Sequence, residues 1–192
     1  MCGGGPISLG PDDITNIGGK EPNGKPAAIG RWTFQTKKVR DEVLKHTNGR
    51  VLNAFAGKTK LSDYKRGLTE VRNDINPLRP ADYHFDAVEI GDVFDDESFD
   101  AVVLDPPFDQ TQSDEHYEGM HARDMADVRK AVAPLVKPGG VIVELGWNMW
   151  GAADYFDEWV RDEKLLFRRG IPARQPVLMV ADRKAQSKLG GQ

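Results

Sequence analysis

The sequence predicts an α/β fold with a mostly parallel, seven-stranded sheet covered by helices on both faces. Segments with strand character alternate with segments of helical spacing, which is typical of sheets built from strand–helix–strand units. Two strand segments, AVVL at 101–104 and VIVEL at 141–145, are short apolar runs, as expected for strands buried on both faces. Polar residues directly follow several strands, at the edge where open α/β sheets bind ligands.

Length and composition indicate one globular domain. The chain has 192 residues, 39% of them hydrophobic, and a net charge of −4. This charge argues against a strongly basic nucleic-acid-binding surface, although it allows a local basic patch. Cys2 is the single cysteine, which excludes an internal disulfide and a cysteine zinc cluster. With no apolar run near the roughly 18 residues of a membrane span and no signal-like start, we expect a cytoplasmic protein without a membrane partner.

The elements follow in order along the chain. Residues 1–30 are rich in Gly and Pro and lack periodicity, so we expect a flexible or irregular arm, followed by the folded domain over 31–184 and a tail over 185–192. The domain opens with a helix within TFQTKKVRDEVLKHTNG, which ends at its Asn-Gly pair. Strands are predicted at RVLNAF (50–55), GLTEVRN (67–73), FDAVEI (85–90), FDAVVLD (99–105), VIVELGW (141–147), LLFRRG (165–170) and PVLMVADR (176–183).

Two further helices complete the predicted alternation. They are ARDMADVRKAVAPLV (122–136) and AADYFDEWVRDEKL (152–165), the second with Trp159 and Phe156 on its core-facing side. The last two strands are expected to close the sheet as an antiparallel pair. No internal repeat is present in the sequence.

Polar and special residues follow four strands, at 53–57, 74–77, 92 and 105–108. Because the carboxyl ends of parallel strands share one edge, we expect these residues to line a single crevice. The first cluster ends in Gly-Lys-Thr like a phosphate-binding P-loop, but Leu52 occupies the position of the required first glycine, so that interpretation fails. What remains is a strand–turn–helix entry, in which Gly57 allows the backbone to approach a ligand closely.

Four segments, VLNAFAGKT, NDINP, GDVF and LDPPF, occur in the order found in a known enzyme class. They resemble the cofactor and catalytic motifs of S-adenosylmethionine-dependent methyltransferases that act on exocyclic amino groups of nucleobases. The similarity covers about residues 33–182. It implies a Rossmann-like class I methyltransferase fold, S-adenosylmethionine as the cofactor, a nucleic acid substrate and no metal.

The same resemblance orders the possible substrates. DNA N6-adenine methyltransferases carry the Asp-Pro-Pro-Phe signature, and NDINP and DPPFDQTQ look more like compact members of that group. N6 of adenine in DNA is therefore the first expectation. The rRNA guanine-N2 methyltransferases also carry the signature and have a similar helix before the first strand, so they stay as an alternative. A non-catalytic, cofactor-binding subunit is a second alternative. The chain has no room for a separate target-recognition domain.

The resemblance also assigns roles around the cofactor. The turn after the first strand holds the methionine part, an acid after the second strand binds the ribose, and an acid after the third meets the adenine. The implied cofactor-binding residues are Asn53, Phe55, Ala56, Gly57, Asp74, Ile75, Asn76, Asp92 and Val93. The first strand of such enzymes usually ends in Asp and continues with Gly-x-Gly. Asn53 and a single Gly57 stand here instead, which shifts the anchoring from charge to backbone.

The LDPPF segment accounts for the chemistry. The amino group of adenine or guanine is a weak nucleophile because its lone pair is delocalised into the ring. Asp105 and the Pro106 carbonyl are expected to accept its two N–H groups, and Pro107 fixes the turn so that both acceptors are positioned before the base arrives. Phe108 offers a face on which an extruded base can stack, worth on the order of 1–3 kcal/mol. These four residues are the predicted catalytic set.

Further candidates for substrate contacts lie in the loops beyond the strands. They are Tyr117, His121, Trp147 and Arg174. The loop at 109–124 contains His, Asp and Glu, but their spacing matches no standard metal motif, so we expect it to cover the target base and to hold no metal. Candidates for phosphate contacts are Lys37, Lys38, Arg168 and Arg169, together with Arg174.

Overall fold

A computed structural model describes residues 14–17, 33–107, 125–167 and 176–186. The strands are β1 (Ile14–Ile17), β2 (Arg50–Asn53), β3 (Thr69–Arg72), β4 (Phe99–Leu104), β5 (Val136–Gly146), β6 (Trp159–Phe167) and β7 (Val177–Lys184). The α-helices are α1 (Lys37–His46) and α2 (Met125–Val132), and 3-10 helices lie at Thr33–Gln35, Leu61–Asp63, Ile90–Asp92 and Ala152–Asp154. All seven strands form one sheet in the order β1-β6-β7-β5-β4-β2-β3.

Strand direction agrees with the sequence prediction. β1 pairs in parallel with β6. β2 pairs in parallel with β3 and with β4, and β4 with β5. Because β7 is antiparallel to both β5 and β6, strands β1 to β6 all run the same way. Only β7 runs against its neighbours β5 and β6. The mostly parallel sheet and the closing antiparallel pair are confirmed, and six of the seven predicted strands are present.

Side chains on alternate sides of the strands build two hydrophobic layers. On β4, Val103 belongs to the layer that contains Val39 of α1, whereas Val102 belongs to the layer that contains Val128 of α2. The two helices therefore cover opposite faces, as predicted. Within the described ranges, no helix is long and apolar enough to cross a bilayer.

The predicted third strand at 85–90 is wrong. Ala87 and Ile90 are the buried residues of this segment, and a spacing of three places them on one side of the turns that lead into the 3-10 helix. Just before this segment, a single parallel bridge joins Tyr83 to Asn73. The apolar residues of this segment were misassigned because a short run of six fits either period.

The predicted helix at 152–165 is also wrong. Only Ala152–Asp154 are helical, and the rest leads into β6, where Trp159, Leu165 and Phe167 are buried at alternating positions. Trp159 lies in the core as expected, with 4% of its surface exposed, but it does so from a strand. Pairing with β7 on one side and β1 on the other stabilises the extended form over the amphipathic helix.

The segment predicted as an arm, residues 1–30, contributes the strand β1. Of these residues the structure describes Ile14–Ile17, which form the edge strand β1 in register with Lys164 to Phe167 of β6. A four-residue ITNI segment among glycines and prolines gives too little periodicity to predict a strand. The tail at 187–192 lies outside the described residues.

Gly140 tests the packing between β4 and β5. A Cβ at this position would lie 2.8 Å from the Asp100 carbonyl oxygen and 2.6 Å from Val136 Cγ1. We expect Gly140→Ala to lower the free energy of unfolding by about 1–3 kcal/mol, measured by urea denaturation. Gly146→Ala is the control, because its Cβ would meet only the Asn148 amide nitrogen, at 3.9 Å. Equal stability of the two variants would contradict this packing.

Candidate active site

The carboxyl ends of four parallel strands lie along one edge of the sheet, in the order β5, β4, β2, β3. The chain runs outward from β2 to β3 and then returns to the other side of β2 as β4, so the strand order reverses between β2 and β4. Ligands of open α/β sheets bind at such a reversal. The Ala54 N–H donates to the Val103 carbonyl at 3.0 Å, which places the turn after β2 beside the Asp105 end of β4. Two of the predicted clusters therefore adjoin each other.

The turn after β2 is a backbone loop that closes on the tip of β3. The Asn73 N–H donates to the Asn53 carbonyl, and the Ala56 N–H donates back to the Asn73 carbonyl, both at 2.9 Å. Gly57 then adopts a φ of 54°, a left-handed conformation that glycine accommodates without strain. The helix predicted after this turn is replaced by the 3-10 helix Leu61–Asp63, so within the described residues no α-helix begins directly after the turn.

Asp74 holds this turn with its side chain. One carboxylate oxygen accepts the Gly57 N–H at 2.8 Å, and the other accepts the Asn76 N–H at 3.0 Å. Asp74 is 1% exposed, and burial raises the pKa of its carboxyl group, against the opposing effect of these two amides. The carboxylate thus joins the Gly57 turn to the loop after β3. Ribose binding by Asp74 stays a prediction.

Arg72 supports the same turn from the end of β3. Its guanidinium donates to the Gly57 carbonyl at 3.1 Å and also bonds the Pro80 carbonyl. The Asn73 side chain donates to the Ala54 carbonyl at 3.2 Å. Buried polar side chains of β3 therefore satisfy the carbonyl groups that the turn leaves outside the sheet.

Asn53 occupies the strand end where the resembling enzymes usually carry Asp. Its side-chain N–H donates to Glu70 at 3.0 Å, while the second Glu70 oxygen accepts the Ser62 N–H at 2.9 Å. A carboxylate at position 53 would lie against Glu70, so the amide is the compatible choice here. The Asn53 Oδ1 is buried and has no hydrogen-bond partner among the described residues.

Asp105 directly follows β4, one residue past Leu104. Burial raises the pKa of its carboxyl group to about 7, and a hydrogen bond from the Thr33 hydroxyl acts in the opposite direction. Its Oδ1 is buried and lacks a hydrogen-bond partner within the described part of the chain. Asp105 is thus a carboxyl group with a raised pKa, with one oxygen held and one acceptor unsatisfied.

The acid that the resemblance assigns to adenine, Asp92, does not follow a strand. It lies exposed on a 3-10 helix, and a Cβ on the neighbouring Gly91 would come within 2.9 Å of the Ala131 carbonyl oxygen in the last turn of α2. The segment parallel to the tip of β3 is the one around Tyr83, and Asp86 is the first acid beyond it. Adenine binding by Asp92 stays a prediction.

The structure describes some of the remaining predicted residues, and others lie outside the described ranges. Ile75 and Asn76 lie beside Asp74, with Asn76 buried, and Phe55 packs against the core from the turn. Val93 follows Asp92, whereas Pro106 and Pro107 continue from Asp105, and Trp147 follows β5 with 39% exposure. The predicted residues outside the described ranges are Phe108, Tyr117, His121, Arg168, Arg169 and Arg174. Lys37 and Lys38 are exposed on the first turn of α1.

Sequence reasoning missed four residues that shape the site. They are Thr33, Glu70, Arg72 and Asn73. The three on or after β3 carry a readable signal, because charged and amide side chains inside a buried strand must be paired. Thr33 carries no such signal, since its contact with Asp105 spans most of the N-terminal half of the domain.

Neither protein-family models nor curated protein sequences give a match to the chain. Solved structures do resemble it. TrmN from Thermus thermophilus matches with a TM-score of 0.56 and 15% identity over 81% of this chain, which spans 50% of TrmN. The 1,6-didemethyltoxoflavin-N1-methyltransferase of Burkholderia thailandensis, solved with S-adenosylhomocysteine, matches with a TM-score of 0.53 and 13% identity, covering 78% of this chain and 76% of that enzyme.

The [4+2]-cyclase SpnF is also similar, with a TM-score of 0.60 and 11% identity over 93% of this chain and 89% of SpnF. At these identities the likeness concerns the fold alone. The chain has the Rossmann-like class I methyltransferase fold, as the sequence predicts. SpnF demonstrates that the fold by itself does not fix the reaction.

Asp105 makes stability depend on pH in a predictable direction. Its folded pKa of about 7 lies above the value of roughly 3.9 in an unfolded chain, so the folded state holds the proton more tightly and loses stability as the pH rises from about 4 to 7. Asp105→Asn removes this loss. We expect its unfolding free energy relative to wild type to rise by about 2–4 kcal/mol between pH 5 and pH 8, measured by urea denaturation.

Asp100→Asn is the control for this measurement. Lys137 and the Arg50 N–H hold the Asp100 pKa below its usual value despite partial burial, so it does not titrate between pH 5 and 8. Its difference from wild type should therefore stay constant over that interval. An equally constant difference for Asp105→Asn would contradict the raised pKa.

Asp74→Ala tests the support of the Gly57 turn. It leaves the Gly57 and Asn76 N–H groups without their acceptor, and we expect a loss of about 1–3 kcal/mol in unfolding free energy. Asp82→Ala is the matched control: Asp82 also accepts a backbone N–H, from Arg72 at 2.8 Å, but it is exposed and water can replace it. A smaller loss for Asp74→Ala than for Asp82→Ala would overturn the proposed support.

Proposed function

We propose that this protein is an S-adenosylmethionine-dependent methyltransferase acting on an exocyclic amino group of a nucleobase. The single observation that carries the proposal is the unsatisfied carboxyl oxygen of Asp105 at the strand-order reversal, beside a preformed glycine turn. The class I methyltransferase fold and the LDPPF segment support the same reaction. The described residues contain no group of three or more His, Cys, Asp or Glu that could hold a metal ion.

Two features on the β2 and β3 side of the strand-order reversal support the proposed cofactor. The Gly57 turn brings backbone close to a ligand, and the unsatisfied Asn53 Oδ1 beside it suits a positively charged donor such as an ammonium group. Asp92 is the proposed adenine-binding acid, and Asp86, the first acid beyond the Tyr83 bridge, is the alternative. When bound, S-adenosylmethionine supplies an electrophilic methyl group on a sulfonium.

Asp105 acts on the nucleophile in this proposal. Its free oxygen would accept an N–H of the target amino group, which directs the nitrogen lone pair away from the ring. As the N–CH3 bond forms and the S–CH3 bond of the sulfonium breaks, leaving a neutral thioether, the carboxylate would take up the proton that the nitrogen loses. A pKa of about 7 suits a group that must accept a proton near neutral pH. The Thr33 hydroxyl holds the other oxygen, and Pro106 and Pro107 restrict the backbone beyond it.

N6 of adenine in DNA is the proposed target, because NDINP and DPPFDQTQ resemble the compact DNA adenine enzymes. Guanine N2 in rRNA is the second candidate. The presence of α1 directly before β2, with Val39 and Val43 packed on the sheet, agrees with the helix that those enzymes carry before their first strand.

Transfer of radiolabelled methyl groups tests the proposal. The protein is incubated with methyl-labelled S-adenosylmethionine and either DNA or rRNA, the nucleic acid is digested, and the labelled nucleoside is identified. We expect N6-methyl-2′-deoxyadenosine from DNA. Asp105→Ala should lower the rate at least a hundredfold while S-adenosylmethionine binding, measured by calorimetry, changes little, because Asp105 lies on the substrate side of the crevice.

Asp100→Asn serves again as the control, since Asp100 lies near the start of β4, at the opposite edge from Asp105. Full transfer by Asp105→Ala would remove Asp105 from the catalytic role. Cofactor binding without transfer to any nucleic acid would instead favour the non-catalytic subunit.

A further inference from the structure

Three aromatic side chains beyond β5 are exposed on the surface. Trp150 is 59% exposed, Tyr155 40% and Trp147 39%. The rings of Trp150 and Tyr155 lie 6.0 Å apart, centroid to centroid, at an angle of 55°. We call these three residues the aromatic platform. Large aromatic side chains grouped on a surface mark contact sites more often than single exposed residues do.

The backbone that carries the aromatic platform is fixed by two arginines. Arg129 donates to the Trp150 carbonyl at 3.3 Å, and Arg161 donates to the Met149 carbonyl at 3.1 Å. Both guanidiniums are themselves held, Arg129 by a bidentate pair with Glu144 and Arg161 by the buried Asp182. The exposed rings thus stand on a rigid base.

Packing beneath the segment confirms how closely it is held. The Ala153 N–H donates to Asp182 at 3.0 Å, and a Cβ on Gly151 would lie 2.9 Å from Val180 Cγ2. Arg129 lies over one face of the Tyr155 ring, 4.9 Å from its centroid. Tyr155 nevertheless keeps 40% of its surface exposed.

Trp147, which directly follows β5, leaves the sheet at the edge that carries Asp105. Leu104 of β4 and Glu144 of β5 are paired in register, so Asp105 and the residues after Gly146 leave the sheet from neighbouring strands at the same edge. The Gly57 turn lies on the other side of β4. A polymer whose target base enters beside Asp105 would pass its neighbouring nucleotides over the side occupied by Trp147 and Trp150.

We propose that the aromatic platform stacks unpaired nucleobases next to the target, so that the preferred substrate is a single strand. This inference rests on the proposed function. Aromatic rings stack on the faces of bases, whatever the sequence. These base faces are accessible in a single strand, whereas in a duplex they are stacked on one another. A chain with a net charge of −4 gains little from general phosphate attraction, so stacking has to supply much of the affinity.

Binding of fluorescent 12-nucleotide single strands, measured by anisotropy, tests this inference. We expect Trp150→Ala and Tyr155→Ala each to weaken binding about 5- to 100-fold, and Trp150→Phe to restore most of it. Tyr64→Ala is the matched control, because Tyr64 is 51% exposed under Arg40 and lies outside the aromatic platform. The same sequence as a blunt duplex should bind at least tenfold more weakly. DNA and RNA strands are compared in parallel.

Unchanged binding by both alanine variants, or equal affinity for duplex and single strand, would overturn the inference. Concentration-dependent self-association that Trp150→Ala abolishes would also overturn it, since the platform would then be a contact between copies of the chain. Transfer assays on the same variants separate the two proposals. Platform-dependent binding without methyl transfer contradicts only the proposed function, whereas transfer that is unaffected by Trp150→Ala contradicts only the aromatic platform.

Discussion

The hydrogen bond from the Gly57 amide to the buried Asp74 carboxylate is the contact on which the candidate site depends. It joins the loops after two neighbouring strands and keeps Gly57 in its left-handed conformation. Arg72 and Asn73 reinforce the same turn through its carbonyl groups. A ligand that binds this turn meets a surface already formed, so little conformational entropy has to be lost on binding.

The opposite side of the strand-order reversal is arranged differently. The polar groups of the β2 turn are mostly satisfied by β3, whereas Asp105 keeps an acceptor without a partner and a raised pKa. Buried unsatisfied carboxyl groups are costly, and they occur most often where a substrate supplies the missing donor. One edge of the sheet thus combines a rigid glycine turn, the proposed cofactor side, with a carboxyl group that keeps a free acceptor, the proposed substrate side.

Patterns that depend on neighbouring residues were readable from the sequence, and patterns that depend on distant pairing were not. AVVL and VIVEL have one plausible structure, that of a buried strand, and both are strands in the sheet. AVVL leads directly to Asp105. FDAVEI and WVRDEKL fit more than one period, and contacts with α2, β1 and β7 decided between them. The same limitation hid the contact between Thr33 and Asp105.

The fold alone leaves the reaction open, as its similarity to a cyclase illustrates. The central claim is that the crevice between β2 and β4 holds an adenosyl-sulfonium ligand. Hydrogen–deuterium exchange with and without S-adenosylhomocysteine tests it most directly. We expect slower exchange in peptides covering 53–57 and 73–76, and no change in the shallow cavity at the opposite edge, lined by Glu97, Lys130 and Glu158. Protection at that cavity, with none at the Gly57 turn, would contradict the account.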